Sequence, residues 1–146
     1  MKRFVFLLIS IFLFFSHISF GQIASSENGY TLFIKSDGSL WAWGNNSTGQ
    51  LGDGTTTNRN SPVNILPNTQ WIDISTSSNT SFGIKKDGTL WAWGRNNTYL
   101  FGNNNSSETQ RSAPGQVGTD NNWKSIRSNG SSVIGIKSDG TLWSWG

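Results

Sequence analysis

At 146 residues with no cysteine and one histidine, the chain can be neither a disulfide scaffold nor a zinc centre built from Cys and His. Eight tryptophans set it apart from disordered chains, which are poor in aromatics. Its formal charge of +3 comes from scattered cations, not from the clustered basic patch that a nucleic-acid surface needs.

The N-terminus comes first. Lys2 and Arg3 precede an apolar stretch over residues 4–15, broken only by Ser10, and the segment closes on Ser16-His17-Ile18-Ser19-Phe20-Gly21. A basic start, a short apolar run and small residues before the exit predict a secretory signal peptide over 1–21, cut after Gly21. A spanning helix would need about 20 apolar residues, so no membrane insertion is expected once the leader is removed. The expected location is secreted, cell-surface or periplasmic. Loss of Lys2, Arg3 and His17 leaves nine Lys/Arg against eight Asp/Glu, a net +1, with neither His nor Cys. That composition excludes Ser-His-Asp and Cys-His nucleophilic machinery. No cofactor, metal or nucleic acid is expected.

Residues 22–146 are repetitive. Thr31-Leu32-Phe33-Ile34-Lys35 predicts a strand at 30–35, followed by Ser36-Asp37-Gly38-Ser39 and then Leu40-Trp41-Ala42-Trp43-Gly44. Asp-Gly between two apolar runs is a strong hairpin signal, because Gly takes positive φ and Asp tolerates the bend. In the second strand the two Trp share one face, while Leu40, Ala42 and Gly44 share the other. The octapeptide recurs at Asp87 and Asp139, with Trp41, Trp91 and Trp143 spaced by 50 and 52 residues. A weaker strand is expected near Val63-Asn64-Ile65 behind Pro62, and a fourth at Trp71-Ile72-Asp73-Ile74-Ser75, matched by Trp123-Lys124-Ser125-Ile126-Arg127. The approximate units are 37–86, 87–138 and a partial 139–146. Four short strands in about 50 residues, repeated, predict the blades of an all-β propeller with antiparallel four-stranded sheets.

Asp37-Gly38 through Trp43-Gly44, then Asn45-Asn46, Gly49-Gln50-Leu51-Gly52-Asp53-Gly54 and Ser61-Pro62-Val63, resembles the regulator of chromosome condensation repeat in its bacterial, secreted form. The resemblance runs from Tyr30 to Gly146 and implies a seven-bladed ring. About two and a half repeats are present, so the expectation is an open fragment, the N-terminal part of a longer exported protein. Four stretches depart from the pattern, one of them Ser112-Ala113-Pro114, where Ser-Pro-Val has slipped. Asn79-Thr80-Ser81 and Gly130-Ser131-Ser132 stand where similar repeats place a His, and Tyr99-Leu100-Phe101-Gly102 replaces Gly-Gln-Leu-Gly.

Candidate chemistry is sparse. Asp37, Asp87 and Asp139 sit in equivalent turns, where local hydrogen bonding explains them better than catalysis. The strand tryptophans read as core. The glycines at 49–54 lack the Lys-Ser/Thr of a phosphate loop and read as a structural passage close to the neighbouring blade. The Asn-x-Ser/Thr sequons at Asn46 and Asn79 read as polar turns. Tyr99 with Arg95 and Asn97 is the one candidate contact site, since Tyr and Arg are favoured at interfaces. The expected function is a non-enzymatic exported scaffold binding an extracellular or periplasmic protein or glycan. Alternatives are a secreted enzyme inhibitor, as in a bacterial family of similar repeat pattern that blocks β-lactamases, or a lectin-like sugar binder. Nucleotide exchange on a small GTPase, the eukaryotic role the resemblance implies, fits poorly with an export signal.

Overall fold

In the computed structural model, residues 21–25, 28–96, 99–103, 105 and 107–146 are described, with the backbone alone for 22–25. Residues 1–20 of the predicted leader (1–21) and Asn97 lie outside the described residues. Among the described residues every regular element is a strand, and within each sheet neighbours in sequence pair antiparallel. The first sheet comprises β1 (Gln22–Ser25), β2 (Tyr30–Ile34), β3 (Leu40–Gly44) and β4 (Arg59–Ile65). The second comprises β5 (Trp71–Ser77), β6 (Thr80–Lys85), β7 (Leu90–Arg95) and β8 (Gln110–Gln116). The third has β9 (Trp123–Ser128), β10 (Val133–Lys137) and β11 (Leu142–Trp145).

One phase in the sequence reading is corrected. The segment 71–75 opens the second sheet by pairing with β6, from Trp71↔Lys85 to Ser77↔Thr80, instead of closing the first. The first sheet is completed at its other side by β1, which the sequence did not reveal. The second and third sheets therefore begin with the Trp-x-x-Ile strand, and the first and second end on the Pro-bearing one. β4 and β8 are the last strands of their sheets, where Pro62 and Pro114 remove no central ladder bond. Units counted from one Asp-Gly turn to the next thus run out of phase with the sheets at 22–65, 71–116 and 123–145.

Strand alternation builds the core. Leu32, Ile34, Leu40, Ala42 and Ile65 cover one face of the first sheet and meet Trp71 and Trp93 from the second, all at most 5% exposed. The arrangement repeats one sheet on: Phe82, Ile84, Leu90 and Ala92 receive Trp123, Ile126, Val133 and the half-buried Trp145. Each sheet is thus aliphatic on the side facing its successor and indole-bearing on the side facing its predecessor. Burial of each aliphatic side chain contributes roughly 1.5–3 kcal/mol.

Glycine makes the indole face fit. A Cβ on Gly83 would stand 2.6 Å from the Trp71 ring, and one on Gly135 2.5 Å from the Trp123 ring. In the first sheet the same β2 position carries Phe33, whose ring lies over Gly21. Bulk has moved from one strand to its neighbour.

The connecting loops lock each sheet to the next. Gln50 O accepts hydrogen bonds from Trp93 Nε1 at 2.9 Å and Ser81 Oγ at 2.7 Å, while Leu51 enters the first core cluster. The drifted copy keeps this job: Leu100 O accepts from Trp145 Nε1 at 2.7 Å, and Phe101 is fully buried. Close approach requires the glycines here, since a Cβ on Gly49 would lie 2.5 Å from Ser112 Cα and one on Gly52 2.7 Å from Trp93 Nε1. Asn46, buried within that loop, receives Leu51 N–H and donates to Asp53 and to the carbonyls of Thr55 and Thr57.

A carboxylate adds a directional contact between the second and third sheets. Asp73, 4% exposed, accepts Ile126 N–H at 2.7 Å and Arg127 Nη1 at 2.8 Å.

Candidate functional site

The three Asp-Gly turns are built alike. Asp37 Oδ1 accepts from Ser39 N–H and Oγ, and Ser39 Oγ in turn accepts from Trp41 Nε1 at 2.9 Å. Asp87-Thr89-Trp91 and Asp139-Thr141-Trp143 repeat the relay. The Ser39 and Thr89 hydroxyls, followed by the matching backbone N–H, hold Asp37 and Asp87 below the usual carboxylate range. For Asp139 the Thr141 backbone N–H leads and its hydroxyl follows. Lys35, Lys85 and Lys137 lie over the rings of Trp41, Trp91 and Trp143 at 3.6, 3.4 and 3.9 Å. Burial pushes the Lys85 ammonium down against the opposing charge of Asp87. These tryptophans are therefore caps on their own hairpins. Trp91 also packs against the first core cluster, but Trp143 is 49% exposed, so the all-core reading is corrected for that residue.

The other described carboxylates have structural partners too. Asp53 binds Arg59 and the Thr55 hydroxyl, and these bonds outweigh the burial that would raise it, holding it below the ordinary value. Glu108 is held low mainly by Arg111. Asp120 accepts from Lys137 Nζ.

What remains is a cleft on the opposite rim from the Asp-Gly turns. The loops joining the first and second strands of all three sheets converge there, and a depression of about 310 Å³ is lined by Asn28, Ser78, Asn79, Thr80, Arg95, Leu100 and Gly130. Asn28 Nδ2 donates to Asn79 Oδ1 at 2.6 Å, joining the first loop to the second. A Cβ built on Gly130 of the third loop would stand at ordinary contact distance from Ser78 Oγ. The Arg95 backbone is fixed from both sides: its N–H donates to Asn79 O and its carbonyl accepts from Thr80 Oγ1 at 2.6 Å. Among the described residues its exposed guanidinium has no ion-pair partner.

The sequence candidates separate here. Arg95 lines the cleft; Tyr99 does not, although its neighbour Leu100 does. Tyr99 is 58% exposed with φ +57°, in the left-handed region that its counterpart Gly49 occupies at +78°. At Gly49 the strand β8 presses against the loop. Asn28, Ser78 and Asn79 were not singled out as a site. Their signal was the departure at 79–81 and 130–132, which marks the cleft-forming loops without showing that they converge.

Comparison with known proteins places this arrangement. Two sequence profiles, each described as Regulator of chromosome condensation (RCC1) repeat, match residues 37–84 and residues 22–50 with 71–107. Among solved structures, human WBSCR16 superposes with a TM-score of 0.77 at 22% identity, over 86% of this chain and 32% of that one. Prp20p from Saccharomyces cerevisiae gives 0.70 at 20% identity, again over 86% and 32%. The chain thus spans about a third of the length of these structures, and the likeness is one of fold. Among curated proteins, no sequence matches significantly.

Proposed function

The chain belongs to the regulator of chromosome condensation repeat family and forms part of a β-propeller, and from that premise we propose that it is an exported, non-enzymatic interaction scaffold whose rim cleft holds a protein partner. One observation carries the reading: equivalent loops from three consecutive sheets form a single polar cleft beside Arg95. Rigid sheets fix such loops in place, which is how repeat folds present binding surfaces. Arg95, lining the same cleft as Asn28 and Asn79, suits a carboxylate-bearing side chain on an extended segment of the partner, because Arg binds carboxylates bidentately. The leader expected at 1–21 supports action outside the cytoplasm, against an extracellular or periplasmic protein. Prp20p is described with binding properties to Gsp1p and histones; at 20% identity over a third of that chain, those partners are not carried across.

Selection from a displayed random-peptide library, beside a glycan array, tests the proposal. Acidic peptides should emerge, and Arg95→Glu should weaken them at least about tenfold, the scale of one charge-assisted contact. Selected ligands that bind Arg95→Glu and Asn79→Ala as well as the wild type would refute it, as would binding confined to glycans.

A further inference from the structure

Asn or Asp precedes glycine at Asn28, Asp37, Asp53, Asp87, Asn129 and Asp139. In such pairs the glycine nitrogen can attack the preceding side-chain carbonyl, because no side chain of its own stands in the way. In the four Asp-Gly pairs both reacting groups are engaged. The N–H groups of Gly38, Gly54, Gly88 and Gly140 each donate to a main-chain carbonyl at 2.9 or 3.0 Å. Each of the four carboxyls is held below the usual carboxylate range, so at neutral pH it is ionised and closes a ring poorly. The two Asn-Gly pairs lack both protections. A carboxamide carries no charge, and among the described residues the N–H groups of Gly29 and Gly130 donate no hydrogen bond. Asn129 is tied by its carbonyl, which accepts from the N–H of Ser131 at 3.3 Å and of Ser132 at 3.0 Å. At Asn28 the amine makes the contact instead: Nδ2 donates to Asn79 Oδ1 at 2.6 Å, while Oδ1 accepts from none of the described residues. Asn28 and Gly29 are exposed, and a Cβ on Gly29 would meet nothing within 4 Å, so a ring has room to close there.

We propose that Asn28-Gly29 is a self-modification site whose product closes the rim cleft to acidic ligands. Gly29 N bonds to Asn28 Cγ, the Cγ–Nδ2 bond breaks, and ammonia leaves with the Gly29 amide proton. Water then opens the succinimide at either carbonyl and returns aspartate or isoaspartate. The donor that clasps the second loop at Asn79 thereby becomes a carboxylate, which accepts and does not donate. Isoaspartate also lengthens the main chain at that point. The new carboxylate stands in the cleft that Arg95 lines, where it competes for the guanidinium and repels an incoming acid. The conversion follows from the loop alone, whereas its effect on binding rests on the cleft being the carboxylate site proposed above.

Ageing the full 146-residue chain in mildly alkaline buffer tests this, with peptide mapping by electron-transfer fragmentation to read aspartate and isoaspartate at each pair. In the folded chain Asn28 should convert ahead of Asn129, with no isoaspartate at Asp37, Asp53, Asp87 or Asp139. In urea the lead of Asn28 over Asn129 should vanish. Gly29→Ala should slow conversion at Asn28, because its Cβ shields the attacking nitrogen. Asn28→Gln, whose longer side chain closes a ring far more slowly, serves if Gly29→Ala loses its cooperative melt. Acidic peptides selected on fresh protein should bind the converted fraction, separated by its extra negative charge, at least about tenfold more weakly, and Asn28→Asp likewise. A folded chain that stays unconverted at Asn28 while the urea-unfolded chain converts, or conversion led by Asn129, would overturn the site. Converted protein that binds as tightly as fresh protein would overturn the closure. If no acidic peptide is selected, the reading of the cleft fails and the closure with it, while the map still decides the conversion.

Discussion

Removing the Asp73 carboxylate separates two contributions that share one side chain. Its buried donors are Ile126 N–H, of a residue 0% exposed, and Ile74 N–H, of one 3% exposed, so Asp73→Ala removes their carboxylate acceptor at a cost of about 1–3 kcal/mol. The partner Arg127 side chain is 63% exposed, and a pair with one solvated member contributes about 0–1 kcal/mol. Asp73→Ala should therefore destabilise by about 2–3 kcal/mol and Arg127→Ala by less than about 1 kcal/mol. For a domain of this size each kcal/mol lowers Tm by roughly 3–5 °C. Urea unfolding gives both numbers, and hydrogen exchange at the Ile126 amide should accelerate in Asp73→Ala but not in Arg127→Ala. Equal losses in the two variants would refute the reasoning, because the exposed ion pair would then be the dominant contact.

Other outcomes follow from the same packing. Gly83→Ala should cost about 1–3 kcal/mol in chemical denaturation, as overpacking does, and trimming Trp71 to Leu in the same chain should recover part of it. Asn46→Ala should lower stability by about 2–3 kcal/mol, since several loop groups lose a buried partner; a thermal melt unchanged within error would contradict that role. Asp37, Asp53, Asp87, Asp139 and Glu108 all sit below their ordinary values of 3.8 for Asp and 4.5 for Glu. A carboxylate depressed in the folded state contributes stability that is fully present above its unfolded value and is lost as pH falls through the folded one. Urea midpoints should thus be level from about pH 7 to 5 and fall below about pH 4.5; a midpoint that rises on acidification would reverse the sign.

The repeat, the hairpins and the all-β class were legible because each rests on a local signal: Asp-Gly for the turn, alternating Leu and Trp for the strand. The Asp turn role could be read for the same reason, since the Ser or Thr two residues on supplies the hydrogen bonds. β1 was not legible. In the first sheet bulk sits on Phe33 over Gly21, where the later sheets place it on Trp71 and Trp123, so the residues before β1 do not repeat the later pattern. The phase of the sheets was missed because pairing of 71–75 with β6 in preference to β4 is a tertiary choice with no local mark. The cleft was half visible. Arg95 was singled out for its residue type and its neighbours, but convergence of the loops at Asn28, Asn79 and Gly130 depends on how the sheets stack. Tyr99 was noticed for its departure from glycine, and it keeps the left-handed backbone of that glycine with its side chain exposed.

The offset between sequence unit and sheet has a consequence for how such a chain can lengthen. A copied stretch running from one Asp-Gly turn to the next carries the back half of one sheet and the front half of another. Inserted in tandem, it has no free-standing fold to fall back on and must lace itself into both flanking sheets. Lengthening by whole units therefore adds a complete joint each time, and a miscounted copy would leave a sheet missing strands on one side.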